Sequence, residues 1–271
     1  NEMKNILFKP GKTFIKNNKT IINKKIIFGD KSEICFKNNS ILFIKDSELT
    51  IKGSFNNPII FKGCEGETGS LVIDNSNINL GFFHGKNLNF PEIKLRSLYG
   101  GINILNSNLI GESISILNSN SEDAINFVNS NVKLNTINIE NAMSDAIDSD
   151  NSFLDIKQIF CKNIGNDCLD LSFSEGKVNS LEAISVKDKV LSLGEKSTLK
   201  INNLSALKSE MGIVNKDQSN LFLDKYSFQN VKIPISSYIK KNEFNSPKLT
   251  INFLENELDH DFLKFISKDS L

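Results

Sequence analysis

Residues 143–156, MSDAIDSDNSFLDI, hold Asp145, Asp148, Asp150 and Asp155 in a segment whose apolar residues alternate as in a strand. Residues 165–176, GNDCLDLSFSEG, place Asp167 and Asp170 22 positions beyond Asp145 and Asp148. Continued at that interval, one column reads Asp123, Asp145, Asp167, Lys189, Met211, and another reads Asn126, Asp148, Asp170, Ser192, Val214. Carboxylates stacked this way suit three kinds of chemistry: general acid and base work, cation coordination, and hydrogen bonding to sugar hydroxyls.

Two carboxylates about 5 Å apart repel by roughly 1 kcal/mol in water and about 3–4 kcal/mol at an effective dielectric near 20. Solvent screening, a raised pKa, a bound cation, or pairing with Lys187, Lys189 and corner amides would each relieve the repulsion. The plainest alternative is that Asp is a good corner residue bonding nearby backbone. The catalytic candidates are Asp148, Asp170 and Asp167 with Lys189. A ligand face would combine Asp123, Asp145, Asp148, Asp150, Asp170, Lys189, Glu195 and Lys216, and calcium would sit on Asp148 and Asp170. Further along, KDKVLSLGEKS and GIVNKDQS set Asp217 above Glu195 and Lys216 above Gly194, with Lys240 and Lys241 following. Such a stretch forms either ion-paired surface decoration or a basic groove for an acidic polymer.

The elements that position these residues are set by the repeat. From Ile125, steps of 22 reach Ile147, Leu169, Leu191, Ile213 and Ile235 without a gap, and the preceding residues are Ala124, Ala146, Cys168, Val190, Gly212 and Pro234. Within a unit the apolar residues alternate, as in Val132, Leu134, then Ile137, Ile139, which excludes helical spacing. Short strands, three per unit, separated by NSN corners at Asn106–Asn108 and Asn129–Asn131, predict an all-β parallel solenoid with inward aliphatic columns. About eleven coils at about 4.8 Å each would make a rod roughly 50 Å long.

The whole chain, 1–271, reads as one β-helix domain: less regular coils over 1–66, an excursion over 81–100, regular coils of about 22 residues over 101–255, and a cap over 256–271. The excursion follows from the 31-residue interval between Ser76 and Ser107, and Leu258, Phe262, Phe265 and Ile266 are spaced for a short capping helix. Phe82, Phe83 and Tyr99 in that excursion are the best aromatic contacts for a glycan in a chain without Trp.

Composition narrows the partners. The 32 basic and 32 acidic residues cancel, so no global field draws nucleic acid, and recognition must rest on a local patch. No run of eighteen apolar residues predicts a membrane span and no charged-then-apolar leader opens the chain. The start at Asn1 rather than Met points to a processed chain or a piece of a longer one with a covalently linked partner domain. Cys35, Cys64, Cys161 and Cys168 lack CxxC spacing and are read as buried small hydrophobes. His84 and His260 are too few for a His-based zinc site or a Ser/His triad, and no GxSxG, GxxxxGK[ST] or GxGxxG occurs.

The succession SDAIDSDNS, GNDCLDLS, DKVLSLGEKS, GIVNKDQS and YIKKNEF resembles the parallel β-helix modules that accompany bacterial CotH-type spore-coat kinase domains. NPIIFKG looks like the first coils of the pectate-lyase-like superfamily. The resemblance implies a single-stranded right-handed β-helix and an extracellular or cell-envelope setting. It supplies no activity. Pectate lyases of the wider superfamily pair calcium-binding aspartates with an arginine base, whereas the single arginine here, Arg96, falls in the excursion away from the Asp columns. The leading expectation is a noncatalytic module presenting its charged face to a polysaccharide. The alternatives are a polysaccharide lyase, epimerase or hydrolase working through the stacked aspartates, and a structural spacer. An enzyme would show a cleft and a strongly shifted carboxylate beside the columns; a binder would show a groove with exposed aromatics.

Overall fold

A computed structural model describes residues 3–90 and 98–252. Among them every strand pairing is parallel and the chain winds into a β-solenoid of about 10 turns, roughly 23 residues each, one fewer than the repeat length alone suggests. Each turn sends one short strand to a ten-stranded sheet, which runs from Lys19–Ile22 through Ser40–Lys45, Gly69–Asp74, Gly100–Leu105, Asp123–Val128, Asp145–Asp150, Leu169–Ser172, Lys189–Gly194 and Met211–Lys216 to Ile233–Tyr238. The rest of each turn joins a fourteen-stranded sheet.

In the first three turns that larger sheet receives two separate strands, such as Lys24–Phe28 and Ser32–Phe36. From Asn77–Leu88 through Glu175–Val186 the two merge into one twelve-residue strand, shortened to ten in Thr198–Leu207 and Asn220–Gln229. In Asn131–Ala142 the buried residues are Val132 and Leu134, then Ile137, Ile139 and Ala142. The inward phase slips by one between Leu134 and Ile137, so the strand folds around the core as two arms.

The aliphatic column is the spine of the core. Ile125, Ile147, Leu169, Leu191 and Ile213 are fully buried and Ile235 nearly so, each contributing about 1.5–3 kcal/mol through burial. Small residues precede them because the strand enters tightly there: a Cβ on Gly212 would lie 2.8 Å from the Phe228 ring.

Asparagine turns the corners. Asn106, Asn129 and Asn151 all have φ 49°, and on the other side Asn118, Asn141 and Asn163 have φ 59°, 60° and 55°. Asn tolerates this left-handed region better than most residues. Beside the first set a serine ladder runs through the interior. The backbone N–H of Ser107 donates to Ser130 Oγ (3.1 Å), that of Ser130 to Ser152 Oγ (3.0 Å), that of Ser152 to Ser174 Oγ (3.1 Å), and that of Ser174 to Ser197 Oγ (3.0 Å). Amide side chains stack outside it, as Asn131 Nδ2 to Asn108 Oδ1 at 3.1 Å.

Three expectations need correction. Residues 81–88 do not leave the rod: they complete the strand Asn77–Leu88, paired with Asn108–Ser119 at an offset of 31. The nine extra residues (31 − 22) therefore lie after Leu88, where Phe90 and Leu98 pack on Ile41, Val72, Phe43 and Leu105 and cover the outer face of the ten-stranded sheet. Phe83 accordingly belongs to the core, 5.0 Å from Phe61, and Phe82 meets Phe55 edge-on at 5.9 Å. The cysteines are buried as expected but not free: Cys35 is bonded to Cys64 and Cys161 to Cys168. Spacing could not reveal this, because coil stacking rather than sequence proximity sets the 29-residue pair side by side. The capping helix over 256–271 and Arg96 lie outside the described residues.

Candidate functional site

The acidic columns are assembled as the 22-residue interval predicts. Asp123 pairs with Asp145, Asn126 with Asp148, Asp148 with Asp170, and Asp170 with Ser192 across neighbouring strands. Asp145 and Asp167 are the corner residues that a backbone-bonding role would require: Asp145 Oδ1 accepts from the Asp167 N–H (2.7 Å) and Asp167 Oδ1 from the Lys189 N–H (2.9 Å). Three positions on, Asp148 and Asp170 stand on the outer sheet face with Asp150 and Ser172 beside them, all partly exposed.

Burial raises most of these carboxyls. Asp123, only 3% exposed, is pushed up to about 9 by desolvation, then by Asp148, Asp145, Glu122 and Asp150. Asp148 reaches about 8, through desolvation and then Asp150, Asp170 and Asp145. Asp145 and Asp150 are raised too, desolvation again leading. Asp167 rises to about 7, desolvation outweighing its Lys189 contact at 3.3 Å. On Lys189 desolvation pulls downward, yet the ion pairs to Asp188 and Asp167 leave it raised. The pairing thus prevails on the more exposed partner and burial on the more enclosed one. At neutral pH Asp123 and Asp148 hold their protons.

The basic residues assigned to the same face do not present free charge. Lys216 is 6% exposed, and its ammonium donates at 2.9 Å to Ser192 Oγ, which continues the outer column of Asp148 and Asp170. Glu195 accepts from Ser172 Oγ at 2.6 Å and pairs with Lys241 at 2.5 Å; desolvation would raise it, but these contacts hold it below the usual carboxylate range. The stretch is ion-paired decoration. Basic charge collects instead along the opposite corner, where Lys187, Lys208 and Lys232 border a shallow groove of about 810 Å³ around Met143, with Glu210 paired to Lys232 at 2.6 Å.

As a cation site the pair Asp148 and Asp170 is sparse. Among the described residues, ligand atoms of three acidic, His or Cys side chains gather within 4.8 Å only at Glu33, Cys35 and Cys64, whose two sulfurs are bonded to each other. Calcium takes about six to eight oxygens, so the two aspartates would need water or ligand oxygens to complete its shell.

Sequence reasoning missed the exposed Phe153 and Phe173 beside this face. The signal was present: the column Asn106, Asn129, Asn151 continues into Phe173. No family model, curated protein or solved structure matches the chain. The two disulfides fit an oxidising, extracellular environment, and no helix among the described residues is long and apolar enough to cross a membrane.

Proposed function

We propose that this protein is a noncatalytic extracellular module that binds an extended polysaccharide on the outer face of its ten-stranded sheet. The observation that carries this reading is the juxtaposition of Asp148, Asp170, Asp150 and Ser172 on adjacent parallel rungs, partly exposed. Rungs repeat at about 4.8 Å, so an extended chain meets hydrogen-bonding groups at regular intervals. A protonated Asp148 both donates and accepts, which matches a sugar hydroxyl, and it avoids placing a second full charge beside its neighbours. The likeness to pectate-lyase-like coils and to CotH-associated modules supports an envelope setting and a right-handed coil, with the module serving a covalently linked partner domain.

Titration calorimetry against a panel of soluble glycans tests the reading. Wild type should bind at pH 6 and weaken above about pH 8 as Asp148 ionises. Asp148→Asn, which keeps a neutral donor and acceptor, should retain affinity at pH 9, while Asp148→Ala should lose it at both. Equal affinity at pH 6 and 9 in all three proteins would sink the proposal. Parallel titrations with calcium and with EDTA show whether a cation joins the site.

A second reading is favoured by one observation: Asp148, raised to about 8, stands one rung from Asp170. A proton-holding acid beside another carboxyl is the arrangement of a retaining glycoside hydrolase. Release of reducing ends by wild type, abolished in both Asp148→Asn and Asp148→Ala, would replace binding with catalysis.

A further inference from the structure

The serine–asparagine corner that adjoins the acidic face is regular until Phe173. The N–H of Asn106 donates to Val128 O, that of Asn129 to Asp150 O, that of Asn151 to Ser172 O, and that of Phe173 to Glu195 O, at 2.8–3.0 Å. Phe173 thus occupies the asparagine position, and it does so at φ 52°. A bulky residue in the left-handed region is strained, and such strain persists where something else is gained. Phe173 is 48% exposed; it touches Phe244 at a centroid distance of 6.1 Å but is not enclosed by it.

Phe153 lines the same cleft, 45% exposed, with Asn131 one rung before and Glu175 one rung after. The two rings, Asn129, Asn131, Asn151 and Glu175 line an open cleft of about 250 Å³, large enough for little more than one sugar ring. We infer that this cleft is a stacking subsite for a neutral pyranose, in which the ring's C–H face lies on Phe153 and Phe173 and its hydroxyls bond Asn131 and Glu175. The chemistry selects that class. Aromatic faces offer apolar area and a negative quadrupole to C–H groups, and the charged side chain lining the cleft is the carboxylate of Glu175, which repels uronic acids and phosphates.

The inference rests on the polysaccharide reading and names its ligand class. Its test is calorimetry of the full chain with cellohexaose, chitohexaose and hexagalacturonate, using wild type, Phe153→Ala, Phe173→Asn and Asp148→Ala, each with a melting curve. Wild type should take a neutral hexasaccharide and reject the galacturonate, and each phenylalanine variant should bind about tenfold or more weakly. Phe153→Ala should melt like wild type, and Phe173→Asn should melt higher, since it relieves the strained φ and extends the amide ladder from Asn151. Undiminished binding by Phe153→Ala overturns the proposal whatever Phe173→Asn does, as does a preference for galacturonate or no binding by wild type. Loss confined to Asp148→Ala would keep the acidic face and discard the stacking subsite; loss confined to the phenylalanine variants would do the reverse.

Discussion

Two columns of the solenoid, one corner apart, obey the same geometry with opposite results. At the corner, Ser130, Ser152, Ser174 and Ser197 stack so that each hydroxyl accepts the N–H of the preceding serine, and repetition satisfies every rung. On the sheet, Asp123 over Asp145 and Asp148 over Asp170 stack equally well, and repetition sets like charge on like charge. A parallel coil multiplies the property of whatever residue is repeated. Groups that donate and accept reinforce one another, whereas acceptors alone hold their protons instead. Asp145 and Asp167 offset part of that cost by accepting corner backbone amides.

The largest expected effect lies in the acidic column. Asp148 has a folded pKa of about 8 against an ordinary 3.8, so the protonated form is favoured on folding. The folded state then binds more protons than the unfolded one, and stability is full below about pH 4 and declines as pH rises through 8. Asp123, at about 9, extends the decline further. Asp148→Asn should therefore match wild type near pH 4 and exceed it at pH 9 by a few kcal/mol, read from chemical denaturation at both pH values. An unchanged difference between the two pH values would show that the carboxyls do not oppose the fold.

The serine column should respond in the other direction and without pH dependence. Ser174→Ala removes the acceptor of the Ser152 N–H and the donor to Ser149 O (2.8 Å) in a buried setting. The expected loss is about 1–3 kcal/mol at every pH. A loss appearing only at high pH would mean that the two columns are coupled. The smallest effect belongs to the exposed amides: Asn141→Ala, at φ 60° and one bond from Asn118 (3.0 Å), should cost about 1 kcal/mol, mostly backbone strain. A cost as large as that of Ser174→Ala would place the stabilising ladder outside the core rather than within it.

Much of this was legible in the residues. The Ile125 to Ile235 column, the Asn corners and the stacking of Asp145 under Asp167 follow from a fixed interval, because in a parallel coil a residue and its successor one turn later must be neighbours. The excursion was misplaced because its length shows in the interval while its position does not: Asn77–Leu88 alternates as a strand, yet Phe82, Gly81 and Phe83 break the pattern locally. Lys216 stands by Ser192 on the face that alternation assigns it, but alternation does not say what lies against that side, and the residue is buried there.

The sequence by itself determined the parallel coil, its period and which residues share a column, since periodicity is a one-dimensional property that stacking converts directly into contact. Only the tertiary structure decided the cysteine pairs, the burial of Lys216, the degree to which Asp123, Asp148 and Asp167 hold their protons, and the placing of Phe153 and Phe173 along one cleft. Each of these depends on distances between different columns and on how much water reaches them, and neither quantity is written in the interval of a repeat.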